Sequence, residues 1–169
     1  RLPWIWDSPT KAPAPAVADK EWPADEIDAF ILAALEDSAM TPAPPASDRH
    51  WFRRVNFAIT GLPPTTEATE EFLSNTDKDR RRSAVESLLA SPHYGERWAR
   101  HWMDLVRYAE SRGHESDFGI ANAWRYRDYL VRAFNADVPY DEFVAEHIAG
   151  DLLEAPRLDP RTNANESIL

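Results

Sequence analysis

The sequence predicts an all-α protein, a single domain of about seven helices in an irregular array behind an extended, Pro/Trp-rich N-terminal arm. Three observations support this fold class. Apolar residues recur with the 3.6-residue period of a helix, and helix-capping residues stand at the ends of these segments. No segment shows the strict alternation of a half-buried strand, and no repeat of 20–50 residues is visible. With 169 residues, the chain has the usual length of one domain.

The chain divides into three predicted segments. Residues 1–24 form the arm, because five prolines exclude a helix there while Trp4, Trp6 and Trp22 are too apolar for a free linker. We therefore expect the arm to lie against the protein with its tryptophans buried. Residues 25–153 form the helical domain, and residues 154–169 form an irregular tail that begins a truncated following segment.

The first four helices are predicted from their apolar stripes and caps. Helix one, over 26–39, carries a stripe at i, i+3, i+4, i+7 and i+8. Helices two, three and four follow over about 48–60, 66–74 and 78–90. Their capping residues are Ser47, Thr65 and Asp77, with Gly61 ending helix two. The stripe of helix one is formed by Ile27, Phe30, Ile31, Ala34 and Leu35.

The fifth predicted helix is the longest and runs over about 92–112, with Ser91 as its cap and proline at its first position. Trp98 and Trp102 share one face with Leu105 and are predicted to be core. An adjacent face is polar without being simply charged. It consists of Arg97, His101, Asp104, Tyr108 and Ser111. Helix six then runs from the Asn122 cap to about 136, and helix seven from Pro139 to about 149.

Composition and charge exclude several functional classes. The net charge is −10, which argues against a general nucleic-acid binder. The acidic excess lies at the two ends, since residues 51–132 contain twelve acids and thirteen bases. The chain contains no cysteine, which excludes disulfides, thiolate catalysis, zinc–thiolate sites and covalent c-type haem attachment within it. No stretch approaches the roughly 18 apolar residues of a membrane span.

The polar faces of helices five and six allow two interpretations. If the helices pack side by side, Arg127 and Asp128 could pair with Asp104 and Arg107 in a partly buried network that fixes the register. Alternatively, His101 and Asp104 could act as acid, base or metal ligands in a pocket. The histidines show no metal-binding spacing, so a metal in this chain is not predicted.

Several stretches resemble a large planctomycete family, a domain of unknown function found beside planctomycete cytochrome c domains. The hallmark match is SPHYGERWARHWMDL, residues 91–105. Other matches are RRV and TGLPPT within 53–65, NAWRYRD at 122–128, and PYD followed by AGDLL within 139–153. The resemblance covers nearly the whole chain in the right order. His147 departs from it, standing where the family usually has glutamine.

The resemblance implies an exported or periplasmic location and a larger protein. Its implied partners are a c-type cytochrome module of the same polypeptide and a downstream uncharacterised domain, with no nucleic acid. Haem is expected only in the separate cytochrome module, so no cofactor is expected in this chain. The residues that fit the family pattern supply the candidate site. The catalytic candidates are His101, Asp104, Tyr108 and Arg127, and the binding candidates are His93, Arg97, Arg107, Asp128 and Asp151.

Two functions of different class are therefore expected. The first is an accessory or interaction module associated with a c-type cytochrome redox system. The second is a hydrolytic enzyme domain that acts on polysaccharide or another polymer through the His/Asp/Tyr/Arg set, whose carboxylates could do acid–base work. A weaker third idea is a non-covalent haem or metal site at His93 or His101.

Overall fold

The computed structural model describes residues 8–113 and 115–166, and these residues form seven α-helices with no β-strand. This confirms the all-α class. The boundaries of the helices are α1 Glu26–Asp37, α2 Asp48–Thr60, α3 Thr66–Ser74, α4 Arg80–Leu89, α5 Pro92–Leu105, α6 Ala123–Asn135 and α7 Tyr140–Ala149, the last followed by a 3₁₀ turn over Gly150–Leu152. The chain divides into two compact units, Arg1–Ala46 and Ser47–Leu169. The boundaries that we assign to the arm, the helical domain and the tail stay predictions.

The first unit consists of α1 and the arm. Glu36 accepts hydrogen bonds from the backbone N–H of Ala18 at 3.0 and 3.2 Å, so the arm runs along the side of α1 that carries Glu36. Ala29 and Leu32 are buried in this unit. The predicted apolar stripe of α1 is wrong as an inward face, because Ile27, Phe30 and Ile31 are exposed on the other side of the helix. Trp22 is also exposed, and Trp4 and Trp6 lie outside the described residues.

The second unit begins with α2, α3 and α4, which pack around stacked aromatic rings. The rings of Phe52 and Phe72 stack with centroids 4.4 Å apart. Asp48 pairs with Arg80 and Arg81, so the first turn of α2 is tied to the first turn of α4. Helix α4 begins with three consecutive arginines, Arg80 to Arg82, and the first two therefore make a helix–helix contact.

Helix α5 ends at Leu105, seven residues before the predicted end. Val106 caps it, and Arg107 adopts a left-handed conformation with φ of 57°. The N–H of Tyr108 then donates to the carbonyl of Met103 at 2.9 Å, which is the Schellman pattern that terminates helices. The sequence does not predict that the helix ends here, because glycine rather than arginine usually occupies the left-handed position.

The core of the second unit is a cluster of α5, α6 and α7 side chains. Its buried members are Ala99, Tyr129, Leu130, Ala133 and Phe143. Trp102 packs against this cluster as predicted, whereas Trp98 is exposed and its assignment to the core is wrong. Among the described residues, no helix has both the length and the apolar character needed to cross a membrane.

Candidate functional site

The hallmark stretch of α5 first serves the crossing with α6. Gly95 lies so close to α6 that an added Cβ would stand 2.4 Å from the carbonyl oxygen of Val131. Its N–H donates to the Oδ1 of Asn135 at 2.8 Å, and the Nδ2 of Asn135 donates to the carbonyl of Pro92 at 3.1 Å. One turn later Ala99 is fully buried. The small residues of this motif are therefore required by helix packing.

A chain of polar groups crosses the aromatic core from α5 to α7. The indole Nε1 of Trp102 donates to the hydroxyl of Tyr126 at 3.1 Å, and that hydroxyl lies 2.9 Å from the Nε2 of His147. The Nδ1 of His147 is 2.7 Å from the carbonyl of Phe143, which requires the hydrogen on Nδ1. Both ring nitrogens of His147 therefore have partners, Nδ1 the carbonyl of Phe143 and Nε2 the hydroxyl of Tyr126.

Three of the four catalytic candidates line one groove of about 380 Å³, namely Asp104, Tyr108 and Arg127. Glu110, which is not one of the four candidates, also lines this groove. It accepts a hydrogen bond from the Tyr108 hydroxyl at 3.0 Å and another from an Arg127 guanidinium nitrogen at 2.8 Å. Partial burial and the Glu110 carboxylate raise the pKa of Tyr108, so the phenol is a hydrogen-bond donor at neutral pH. We call the set of Asp104, Tyr108, Glu110, Arg127 and Asp128 the polar groove.

The prediction that Arg127 pairs with Asp104 is wrong, because Arg127 pairs with two other carboxylates. Arg127 binds Glu110, and its Nε donates to Asp128 at 3.2 Å on the same helix. Within the described residues, no ion pair joins Asp104 to Arg127. The carboxylates of Asp128 and Glu110 raise the pKa of Arg127. Asp128 lines an adjoining hollow of about 470 Å³, which shares Met103 and Arg127 with the groove of about 380 Å³.

The two histidine candidates do not enter the polar groove. His101 is exposed, and its ring lies 5.3 Å from the ring of Trp98. His93 is also exposed, and its Nδ1 lies 2.7 Å from a carboxylate oxygen of Glu96. Among the described residues, no group of three or more His, Cys, Asp or Glu side chains is placed to hold a metal ion.

The remaining binding candidates are dispersed. The side chain of Arg97 lies over Gly61, where an added Cβ would stand 2.9 Å from its Cδ. Its Nε is buried and has no hydrogen-bond partner among the residues that the structure describes. Because Gly61 also has φ of 74°, glycine is required there for both conformation and space. Arg107 occupies the left-handed position after α5, and Asp151 is exposed in the 3₁₀ turn.

The strongest charge cluster was not predicted from the sequence. Arg157 binds the carboxylate of Glu146 through two bonds of 3.0 Å, and Arg132 binds Glu166 through Nε at 2.8 Å and a terminal nitrogen at 2.6 Å. Asp159 lies 3.9 Å from Arg132. We call these five residues the C-terminal clasp. The three carboxylates are buried, and each arginine is only partly exposed.

The clasp also reaches the aromatic core. The Tyr129 hydroxyl donates to Glu146 at 2.7 Å, and burial, with the neighbouring carboxylate, raises the Tyr129 pKa far above its ordinary value. The sequence signal for the clasp is weak, because its acids and arginines come from α6, α7 and the irregular tail. The partners of its two hydrogen-bonded pairs lie 11 and 34 residues apart along the chain.

Comparison with known proteins gives a single family. Neither curated proteins nor solved structures yield a match to this chain. A family model described as a protein of unknown function (DUF1549), named PSCyt2, matches residues 26–167. The matched region contains α1 to α7, the polar groove and all of the described tail. The resemblance inferred from the motifs is thereby confirmed, and the chain belongs to the PSCyt2 family of proteins of unknown function.

Proposed function

We propose that this domain is a non-catalytic interaction module of a larger exported protein and that it docks onto a c-type cytochrome module of the same polypeptide. The motif resemblance supports the choice of this partner and the exported or periplasmic location. A downstream domain is a further neighbour in the proposed protein. Haem belongs to the cytochrome module in this proposal, and the present chain supplies a protein-binding surface.

The observation that carries the proposal is an apolar surface on α7. In residues 47–166, the most exposed large apolar side chains are Leu105, Tyr140, Ile148 and Leu152, which retain 72–80% of their accessible surface. Three of them lie on α7 and the 3₁₀ turn after it, eight and then four residues apart. We call Tyr140, Ile148 and Leu152 the α7 ridge. Contiguous exposed apolar surface is typical of protein–protein contact sites, and we infer that these three side chains contribute to such a surface.

Acidic side chains accompany the α7 ridge. Residues 133–169 contain eight acids and two bases, and the exposed acids of this region include Asp141, Glu142, Asp151 and Glu154. An apolar surface among carboxylates complements a partner whose docking face is apolar in the centre and basic at its edge. Complementary charges of this kind accelerate association and select the partner.

Binding of the separately prepared cytochrome module tests the proposal. Isothermal titration calorimetry of the 169-residue chain with that module should show saturable binding, and the affinity should fall as salt is added. Ile148→Glu and Leu152→Glu should each weaken binding about tenfold, which corresponds to about 1.4 kcal/mol. Phe118→Glu is the matched control, because Phe118 is also a strongly exposed apolar residue, at 68%, but lies in the loop between α5 and α6.

The result that contradicts the proposal is equally specific. If the wild-type chain does not bind the cytochrome module, or binds only the downstream domain, the assignment of the partner is wrong. If Phe118→Glu weakens binding as much as Ile148→Glu does, the α7 ridge is not the docking surface. Circular dichroism of each variant shows whether the fold is retained.

A hydrolytic domain is the second candidate, because Asp104, Tyr108 and Arg127 line the same groove. In that case Asp104→Asn should abolish polymer hydrolysis and leave the denaturation midpoint unchanged. Leu105→Asn is the matched control, since Leu105 is the exposed neighbour of Asp104 and does not line the groove. Equal hydrolysis by wild type and Asp104→Asn excludes this candidate.

A further inference from the structure

An aromatic pocket lies between the end of α6, the start of α7 and one side of α5. It encloses about 220 Å³ and is lined by the rings of Tyr94, Trp102, Phe134, Tyr140 and Phe143, together with Ala133, Asp137 and Val138. The Trp102 ring stands edge-on to Phe143, with centroids 4.9 Å apart, and to Tyr140, at 6.5 Å. Phe143 is buried at the base, whereas Tyr140 is exposed at the mouth.

The electrostatic character of the pocket is negative. Asp137 is its only acidic or basic residue apart from the two tyrosine phenols, and it is exposed. In the part of the chain that the structure describes, Asp137 makes no ion pair. It directly follows α6, whose C-terminal end carries a partial negative charge. The faces of aromatic rings are also negative.

We propose that this pocket binds an alkylammonium group, either of a small quaternary ammonium compound or of a lysine side chain. Aromatic rings around a cation, with one carboxylate nearby, are the arrangement that recognises quaternary ammonium and methylated lysine. The volume suffices for a trimethylammonium head, and no lysine, arginine or histidine lines the pocket to occupy or repel it. An anionic ligand is disfavoured by Asp137 and by the helix end. Tyr140 belongs to both the α7 ridge and the pocket. The docking test changes only Ile148 and Leu152, which do not line the pocket, so failure of one proposal can be distinguished from failure of the other.

The conformation of Asp137 offers a clean test. Its φ of 49° lies in the left-handed region, where glycine is favoured over other residues. Asp137→Gly therefore removes the carboxylate while relieving backbone strain, so the variant should be at least as stable as wild type. Asn122→Gly is the matched control, since Asn122 has φ of 63° just before the start of α6 and does not line the pocket.

The experiment uses choline and its neutral carbon isostere, 3,3-dimethylbutan-1-ol, which have nearly the same shape. Binding is followed through the ¹H–¹⁵N NMR signal of the Trp102 indole. Choline should bind saturably and about tenfold more tightly than the isostere, because only the cation interacts favourably with the rings and Asp137. Asp137→Gly and Tyr140→Ala should each weaken choline binding about fivefold or more, whereas Asn122→Gly should leave it unchanged.

A second arm distinguishes the two sources of the cation. Short peptides that carry lysine or trimethyllysine replace choline in the same titration, and saturable binding of either source supports the pocket. Equal affinity for choline and its isostere would identify a merely apolar cavity and overturn the proposal. Absence of saturable shifts with choline and with both peptides would overturn it as well.

Discussion

The polar groove and the C-terminal clasp both pair arginine side chains with carboxylates, but the carboxylates of the clasp are buried and those of the groove are not. In the groove, Arg127 bridges Glu110 and Asp128, whose side chains remain about half exposed. In the clasp, Arg132 binds Glu166, which retains 1% of its side-chain surface. Each region places an arginine between two carboxylates. The clasp holds its acids away from water, and the groove leaves them in contact with it.

This difference determines what each region contributes. Exposed ion pairs contribute about 0–1 kcal/mol, because water and salt screen them. A buried carboxylate that loses its arginine remains desolvated without compensation, and such losses cost about 3–5 kcal/mol. The clasp should therefore hold the tail residues 157–166 on α6 and α7. The groove leaves Asp104, Tyr108 and Glu110 accessible to a ligand.

The largest expected effect follows from breaking the clasp at Arg157. Arg157→Met keeps much of the aliphatic stem but leaves Glu146 with the Tyr129 hydroxyl as its remaining close partner. We expect the free energy of unfolding to fall by about 3 kcal/mol, the lower part of the range for a broken buried pair, because Arg157 is partly exposed. Urea denaturation measures this. Arg127→Met is the matched control and should cost less than about 1 kcal/mol. Equal losses would show that burial does not separate the two regions.

A smaller effect is expected from the coupling between Arg132 and Glu166. A double-mutant cycle with Arg132→Met and Glu166→Gln should give a coupling energy of about 1–3 kcal/mol, since the two groups share close hydrogen bonds in a buried setting. The same cycle for Arg127 and Glu110 should give about 0.2–1 kcal/mol. If the groove pair couples as strongly as the clasp pair, the comparison fails.

Acid should weaken the clasp in a defined pH range. The N–H of Arg161 donates to Asp159 and lowers its pKa, with further lowering by Thr162 and Arg132. A carboxyl group whose folded-state pKa is lowered stabilises the fold above its unfolded pKa, here near 3.8, and loses that contribution as the pH falls through the folded pKa. Asp159→Asn should therefore have a shallower fall in stability below about pH 4 than wild type. Thermal melts from pH 2 to pH 6 compare the two proteins, and identical slopes would contradict this prediction.

The sequence predicts local structure well and long-range pairing poorly. Ser47, Thr65 and Ser91 cap their helices as expected, because a cap depends on residues two or three positions away. The early end of α5 was missed because its left-handed position is an arginine. The clasp was missed because its partners come from segments without periodicity, and spacing along the chain does not reveal which charges meet.

The candidate site shows the same limit. Helical spacing placed Asp104 and Tyr108 on one face, and the structure brings both into the groove with Arg127. It also placed His101 and Arg97 on that face, but neither of them lines the groove. Glu110 was not a candidate, because a helix that continues to residue 112 places it on the side opposite the polar face. The chain instead leaves the helix at Leu105, and Glu110 then reaches the groove.

The smallest expected effect concerns Asp104 and Arg127, which helix spacing suggests as partners. Asp104 is exposed, and Arg127 uses Glu110 and Asp128 instead. Asp104→Asn should leave the denaturation midpoint unchanged, and its cycle with Arg127→Met should be additive within about 0.5 kcal/mol. A coupling above about 1 kcal/mol would mean that the two side chains pair in solution and that the groove is a structural network like the clasp. Additive effects in this cycle, with an unchanged midpoint for Asp104→Asn, would mean that Asp104 does not contribute to the stability of the fold. Any functional loss in Asp104→Asn would then report on a ligand or partner in the groove, because the fold itself would be unaffected.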